Sequence, residues 1–221
     1  ENFAARDAVL DAFASMYRQH EAEFPSGVKE SDYIRKMEVA YPVHPELFER
    51  LYSDWASLEE FQRTRGVLRL MACAIHSLWD GDDKSLMIMP AMIPMDDRHV
   101  LSEITTKSGL SPAWTTVIER DVDGGDSLSR KIDREITNLG RLAACRRVAR
   151  AIYIGSAPIS ETAKKGIDDR RIKLGCVQPG ESVPIFGDAL RRLTDNATHL
   201  YVDGSRYWFS TQPSVTQLAR D

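Results

Sequence analysis

Three arginines, Arg63, Arg65 and Arg69, fall within seven residues of an apolar segment that runs from Phe61 to Leu78. A guanidinium is planar, donates hydrogen bonds in pairs and never deprotonates, so such a cluster suits a phosphate. The same side chains can instead lie along the border of an apolar face, their stems covering packed groups. Spacing leaves both readings open. Other constellations carry less chemistry. Cys73 and His76 are i, i+3 on one helix, but two ligands do not make a zinc site; the expected picture is a buried cysteine beside a packed histidine. Asp121-Val-Asp123-Gly-Gly-Asp126-Ser127 imitates half of a calcium loop. Counted from Asp121, however, position six is Asp126 where glycine is needed, and position twelve is Ile132 where a bidentate glutamate is needed. A helix–helix turn with a capping aspartate is expected there. No G-x-x-x-x-G-K-[ST], no Gly-rich dinucleotide fingerprint, no H-E-x-x-H and no paired C-x-x-C occurs in the chain, so no phosphate-cradling loop lies in it and no metal is expected.

The elements that must carry these residues read as mainly helical. Asn2 to Arg18 is alanine-rich with helical apolar spacing; Ser31 starts a second helix to about Ala40; Pro45 sits at the first helical position of a third, which buries Leu47, Leu51 and Trp55. Ser57 and Glu60 match a capping box for a fourth helix, with Phe61, Leu68, Met71, Ile75 and Leu78 predicted inward and Val67 and Ala74 beside them. Leu86–Met89 reads as a strand or a buried extended piece; Asp96–Thr106 reads as a helix, Ser111-Pro112 opens another to about Val122, and Ser127 starts the next. Leu142–Ile154 is a basic helix, Ile167–Leu174 a short one, and Val183–Leu193 a third. Thr198–Val202, Asp203-Gly204 and Ser205–Ser210 then form a hairpin, since Asp-Gly between aromatic and β-branched runs is a strong turn signal. Helices followed by a two-stranded ribbon give the order of a winged helix-turn-helix. The expected division is a helical bundle over 1–79, a helical connector over 80–140 and a winged-helix-like domain over 141–221.

Composition narrows the class. The chain has 221 residues, 43% of them hydrophobic and 28% charged, which suffices for a core and argues against wholesale disorder. Its longest apolar run, Leu86–Met95, is broken by Pro90 and Pro94. A membrane helix needs about 20 unbroken apolar residues, so no such span is expected. Residue 1 is Glu and no secretory signal pattern follows, which suggests a fragment or a processed product. Cys73, Cys145 and Cys176 are odd in number and far apart; they read as reduced, buried thiols of a cytoplasmic protein. The net charge of −4 hides an asymmetry: residues 1–129 hold 13 Lys/Arg against 23 Asp/Glu, and residues 130–221 hold 16 against 10. A basic second half is either a hint of nucleic-acid contact or simply a coat of solvated helix faces.

Several runs resemble one family. Tyr41-Pro-Val-His-Pro-Glu-Leu47 and Phe61-Gln-Arg-Thr-Arg-Gly-Val-Leu-Arg-Leu-Met71 are similar to the uncharacterised bacterial ATPases of domain-of-unknown-function family 499, as are Arg120-Asp-Val-Asp-Gly124, Gly155-Ser-Ala-Pro158, Phe186-Gly-Asp-Ala-Leu190 and Arg206-Tyr-Trp-Phe209. The resemblance implies an AAA+-type ATPase whose Walker motifs lie upstream, so that this chain is its helical lid plus a winged-helix region, inactive alone. It implies ATP and Mg²⁺ as cofactors of the intact protein, the missing ATPase core as a partner, and a homo-oligomer or DNA as further ones. Arg65-Gly-Val-Leu68 is the best match to a second-sensor arginine, with Arg63 and Arg69 as weaker nucleotide contacts. In the winged region Arg171, Lys173, Arg191, Arg192 and Arg206 are the expected DNA phosphate contacts. Asp188 and Asp195 on the Val183–Leu193 helix, and the lack of a mid-helix Asn or Gln, favour non-specific DNA contact or protein docking over base readout. The alternative is a DNA-binding or protein-docking adaptor with no ATPase role.

Overall fold

A computed structural model describes residues 3–214. The fold is mainly helical with one small antiparallel sheet. Helix α1 (Phe3–Gln19) buries Leu10, Phe13, Met16 and Tyr17, and α2 (Ser31–Ala40) buries Met37. Helix α3 (Pro45–Glu49) starts as expected, with Pro45 in the first turn and the His44 ring accepting the Glu46 amide at 3.1 Å. It then widens into a π turn over Arg50–Asp54 and tightens into a 3₁₀ turn over Trp55–Ser57. Leu47, Leu51 and Trp55 stay fully buried throughout, and the Trp55 indole donates to the Ile154 carbonyl at 2.8 Å, so its polar edge is satisfied in the core.

Helix α4 (Thr64–Asp80) departs from expectation in its start and its rotation. The Ser57–Glu60 capping box does not form: Ser57 Oγ donates to the Asp54 carbonyl and closes the preceding turn. Phe61 folds back over Gly66, where a Cβ would stand 1.9 Å from the Phe61 carbonyl oxygen and 2.7 Å from its ring. Only glycine permits that approach. Gln62 and Arg63 take positive φ (64° and 50°) to make the reversal, and the helix begins after them. Its inward face is Gly66, Val67, Leu70, Met71 and Ala74. Leu68 and Ile75, predicted inward, are 63% and 47% exposed, and Leu78 is half-buried. Apolar residues occupy both sides of this helix, so periodicity could not say which side packs.

Leu86–Met89 is extended, and Ile88 bridges Val43 in a parallel sense. Helix α5 is shorter than predicted, Arg98–Glu103, capped by Asp97 on the amides of His99 and Val100. Helix α6 (Ala113–Val117) continues as a π turn over Ile118–Val122, and α7 (Leu128–Glu135) and α8 (Thr137–Gly140) follow. Helix α9 (Ala144–Ser156) is buried on all sides except at Arg146. It touches α7, α8, the Pro90–Met92 turn and the elements that follow it, and the hydrophobic core runs continuously from Leu10 to Phe209 around it.

After α9 come β1 (Ile167–Asp168), α10 (Asp169–Leu174), α11 (Val183–Asn196), β2 (Leu200–Asp203) and β3 (Arg206–Phe209). Ile167 belongs to a strand and not, as expected, to a helix; Asp168 caps α10 by accepting the Arg171 amide at 2.9 Å. The hairpin forms with Leu200 opposite Phe209 and Asp203 opposite Arg206, so Gly204 (φ 57°) and Ser205 make the turn, one residue later than predicted. Strand β1 pairs with β3, giving the order β1-β3-β2 in place of a two-stranded ribbon.

Inside this frame α9 carries three arginines. Arg150 is buried, its Nε 2.8 Å from Asp123 Oδ2 and its Nη2 3.4 Å from Asp96 Oδ1. Arg146 binds both aspartates as well, and Arg130 of α7 closes on Asp96 at 2.9 Å. Asp123 is fully buried. Removing a buried charge that answers guanidiniums strands them in low dielectric at a cost of about 3–5 kcal/mol. Asp123→Ala is therefore expected to lower the unfolding free energy by about that amount, and the exposed Arg65→Ala by less than about 0.5 kcal/mol, as read from urea unfolding midpoints.

Candidate functional site

The outward side of α4 is the most distinctive open surface. Arg65, Leu68, Ala72, Ile75, His76 and Trp79 are all exposed, and at 100° per residue they share one stripe. Arg65 and Arg63 at its N-terminal end are exposed, and among the described residues neither side chain has a hydrogen-bond or ion-pair partner. Arg69 is placed differently: its Nε lies 3.1 Å from Oε2 of the buried Glu103, and Nη1 donates to Gln62 Oε1 at 3.1 Å. Lys107 takes the other oxygen of Glu103 at 2.9 Å. Arg69 thus ties α4 to α5, while Arg63 and Arg65 stay open. His76 is not packed beside a buried cysteine; it is exposed and 3.5 Å from Asp80, and Cys73 is only half-buried.

The five basic residues of the last third all have internal partners; Lys173 and Arg191 line one concavity, and Arg206 lies on the hairpin. Arg171 reaches Glu46 Oε2 at 2.8 Å and Glu49 at 3.7 Å. Lys173 binds Glu23 and lies 3.9 Å from Asp169. Arg191 and Arg192 both hold Asp188, at 2.6 and 3.1 Å. Arg206 donates to the carbonyls of Lys164, Lys165 and Gly166. Glu23, Glu46 and Glu49 belong to the acidic first half, so part of the charge asymmetry is resolved within the chain. Asp121 and Asp123 are structural anchors: Asp121 accepts the His199 amide at 2.7 Å, and Asp123 holds the arginines of α9.

A second interior cluster escaped sequence reasoning. Glu46 is buried where α3 meets α10, between Arg171 and Arg50, whose Nε is 3.2 Å away. Burial pushes its carboxyl up to about 7, the two guanidiniums offsetting only part of that rise. Next to it, His44 Nδ1 accepts an amide, so the ring proton sits on Nε2 and is donated to the Tyr17 oxygen at 2.8 Å. Burial lowers His44 to about 3 and keeps it neutral. The Tyr33 hydroxyl is buried without a hydrogen-bond partner among the described residues, and burial followed by the nearby Glu46 raises its pKa. Only the Tyr-Pro-Val-His-Pro-Glu run hinted at this cluster, because Tyr17, Tyr33 and Arg171 join it from elsewhere in the chain.

The sign of its pH dependence follows. An acid whose folded value lies above the ordinary 4.5 takes up a proton on folding between the two values. Stability from this group is therefore greatest in acid, falls as pH rises from about 5 to about 7, and is level above. Between pH 5.5 and 7.5 the wild-type chain is expected to lose on the order of 1–3 kcal/mol more than Glu46→Gln does, measured by urea unfolding. Equal losses in the two proteins contradict the assignment.

No helix among the described residues is long and apolar enough to cross a membrane. No curated protein and no solved structure matches the chain. One family does, under the description DUF499 second domain, over residues 7–169. That match takes in the α4 stripe, the Asp123 network and the Glu46 cluster short of Arg171, and the chain belongs to this family as a region of a larger protein whose function is unknown.

Proposed function

We propose that the chain is a non-catalytic portion, lid and winged helix, of a large AAA+-type ATPase, and that Arg65 is its second-sensor arginine. The carrying observation is the Arg65-Gly-Val-Leu68 segment: Arg65 and Leu68 face outward while Gly66 and Val67 anchor the turn in the core. An unpaired guanidinium on a rigid helix, beside an uncovered apolar residue, suits an arginine that reaches a phosphate held by a neighbouring segment. Arg63, equally unpaired, fits a second phosphate contact; Arg69, held by Glu103, fits a positioning role. Among the described residues no group of three His, Cys, Asp or Glu could hold a metal ion by itself, and Mg²⁺ would arrive with the nucleotide, held largely by its phosphates and water. When bound elsewhere in the intact protein, ATP supplies the phosphoryl chemistry; this chain contributes positive charge and a docking face.

The order α9-β1-α10-α11-β2-β3 with sheet order β1-β3-β2 supports the winged-helix reading of the last third. Its α11 turns Pro184, Arg191 and Asp195 outward, and Asp188 holds both Arg191 and Arg192 and offsets part of their charge. This favours protein docking over DNA readout for that helix.

In the intact protein Arg65→Ala is expected to cut ATP turnover by about a hundredfold to a thousandfold, the span seen for charge-stabilising donors, with the thermal midpoint unchanged. The 221-residue chain by itself is expected to turn over no ATP. Unaltered turnover in the Arg65→Ala protein removes the sensor role.

A further inference from the structure

Two apolar side chains stand out from the fold. Trp79 is 85% exposed near the end of α4, and Val39 is 83% exposed at the end of α2; among the described residues no other large apolar side chain is as exposed. Val39 does not stand on a flat surface. It lines a groove of about 960 Å³ between α2 and α3, together with Tyr33, Pro45 and Phe48. The groove is thus apolar and open, and it is large enough for an indole and a neighbouring aliphatic side chain. Trp79 is the converse, a projecting indole with Ile75 one turn before it on the same stripe.

The charges around the two features are complementary. Arg35 and Lys36 line the groove, both exposed, and among the described residues neither side chain has a hydrogen-bond or ion-pair partner. Asp32 also lines it; Glu49, the other acid there, is already bound by Arg50 at 2.7 Å. Trp79 is followed by Asp80, Asp82 and Asp83. Lys84 binds Asp82, and Asp80 has only the exposed His76 at 3.5 Å. Asp83 accepts the Ser85 amide at 2.9 Å, and no cation is paired with it among the described residues. Exposed acids therefore follow the projecting tryptophan directly in the chain, and two cations without a partner among the described residues stand at the groove.

We propose that Trp79 of one copy of this chain inserts into the α2–α3 groove of a second copy, with Asp80 and Asp83 meeting Arg35 and Lys36. The contact is heterologous: knob and groove are different surfaces, so each copy can give one contact and receive another, closing into a ring or continuing as a filament according to the rotation between copies. Tryptophan is the residue type best suited to anchor such a contact, because a fully desolvated indole in a pocket dominates interface energy. The charged pairs set the register and make association salt-sensitive. Arg65 lies fourteen residues before Trp79, about 21 Å along the helix axis, so this contact leaves it open; the inference stands apart from the ATPase reading.

Sedimentation equilibrium on the 221-residue chain tests it. The wild-type protein is expected to associate reversibly at tens to hundreds of micromolar, and more weakly as salt is raised. Trp79→Ala and Val39→Asp are each expected to raise the dissociation constant at least tenfold, and Lys36→Glu to raise it by a smaller factor. All three positions are exposed, and unchanged circular dichroism and melting confirm intact folds. The decisive measurement mixes Trp79→Ala with Val39→Asp in equal amounts. One sound groove and one sound knob remain, so the mixture forms dimers and nothing larger. A strictly monomeric wild-type chain, association that survives Trp79→Ala, undiminished association of Val39→Asp alone as an α4–α4 two-fold contact would give, or a mixture that stays monomeric, each overturns the proposal.

Discussion

The structure turns on how a thoroughly buried helix tolerates three arginines. Helix α9 has no solvated side except at Arg146, yet Arg147 and Arg150 sit within its packed length. Each finds a carboxylate that is itself placed by the fold. Glu181 takes Arg147 in a two-pronged contact at 2.8 and 2.9 Å, and the Phe186 ring lies 4.8 Å from the same guanidinium. Asp123 and Asp96 take Arg146 and Arg150. Charges in a low-dielectric interior persist when they are paired. The turn after the Ile118–Val122 segment, the Pro90–Met92 turn and the loop before α11 must therefore all stand where they do. The partners come from before and after α9, so the pairing staples both flanks of the chain to its central helix.

The same logic runs outward. Arg171 and Lys173 of α10 reach back to Glu46, Glu49 and Glu23, and the Trp55 indole reaches forward to the Ile154 carbonyl. Charge that looked available for a polyanion is in part used to join the acidic early segments to the basic late ones. What remains uncompensated is more informative than the total. Arg63, Arg65, Arg35 and Lys36 are open cations in the acidic half, where net charge gave no reason to look. Arg35 and Lys36 stand beside Val39 and Arg65 beside Leu68, which is the combination expected of surfaces that another protein segment covers.

Much of the architecture was legible in the residues. Pro45 at the first helical position, the i, i+4, i+8 spacing of Leu47, Leu51 and Trp55, the stop at Gly175 and the turn beside Gly204 are local signals, and local sterics decide them. The family was legible too, through runs such as Tyr41–Leu47 and Phe61–Met71. Where expectation failed, a distant or unusual contact was responsible. The Ser57–Glu60 box lost to Phe61 closing on Gly66, a reversal with no propensity signature. Ile167 left the helix because β3 offers it a strand partner about 40 residues later.

The candidate sites divide in the same way. Residue type and spacing by themselves determined that Arg65 and Arg69 lie on an amphipathic helix, with Arg63 close by, and that Arg65-Gly-Val-Leu68 is a coherent motif. Only the tertiary structure decided that Arg69 belongs to Glu103, that Arg65 is free, and that Leu68, Ile75 and Trp79 face outward. A helix with apolar residues on both sides encodes its own formation, since that depends on neighbours three and four residues away. It does not encode which side is covered, because that depends on segments such as α5, brought against it from elsewhere in the chain. Ion-pair partners obey the same rule: a guanidinium's charge is written in its codon, but its freedom to bind a ligand depends on which carboxylate the fold delivers to it.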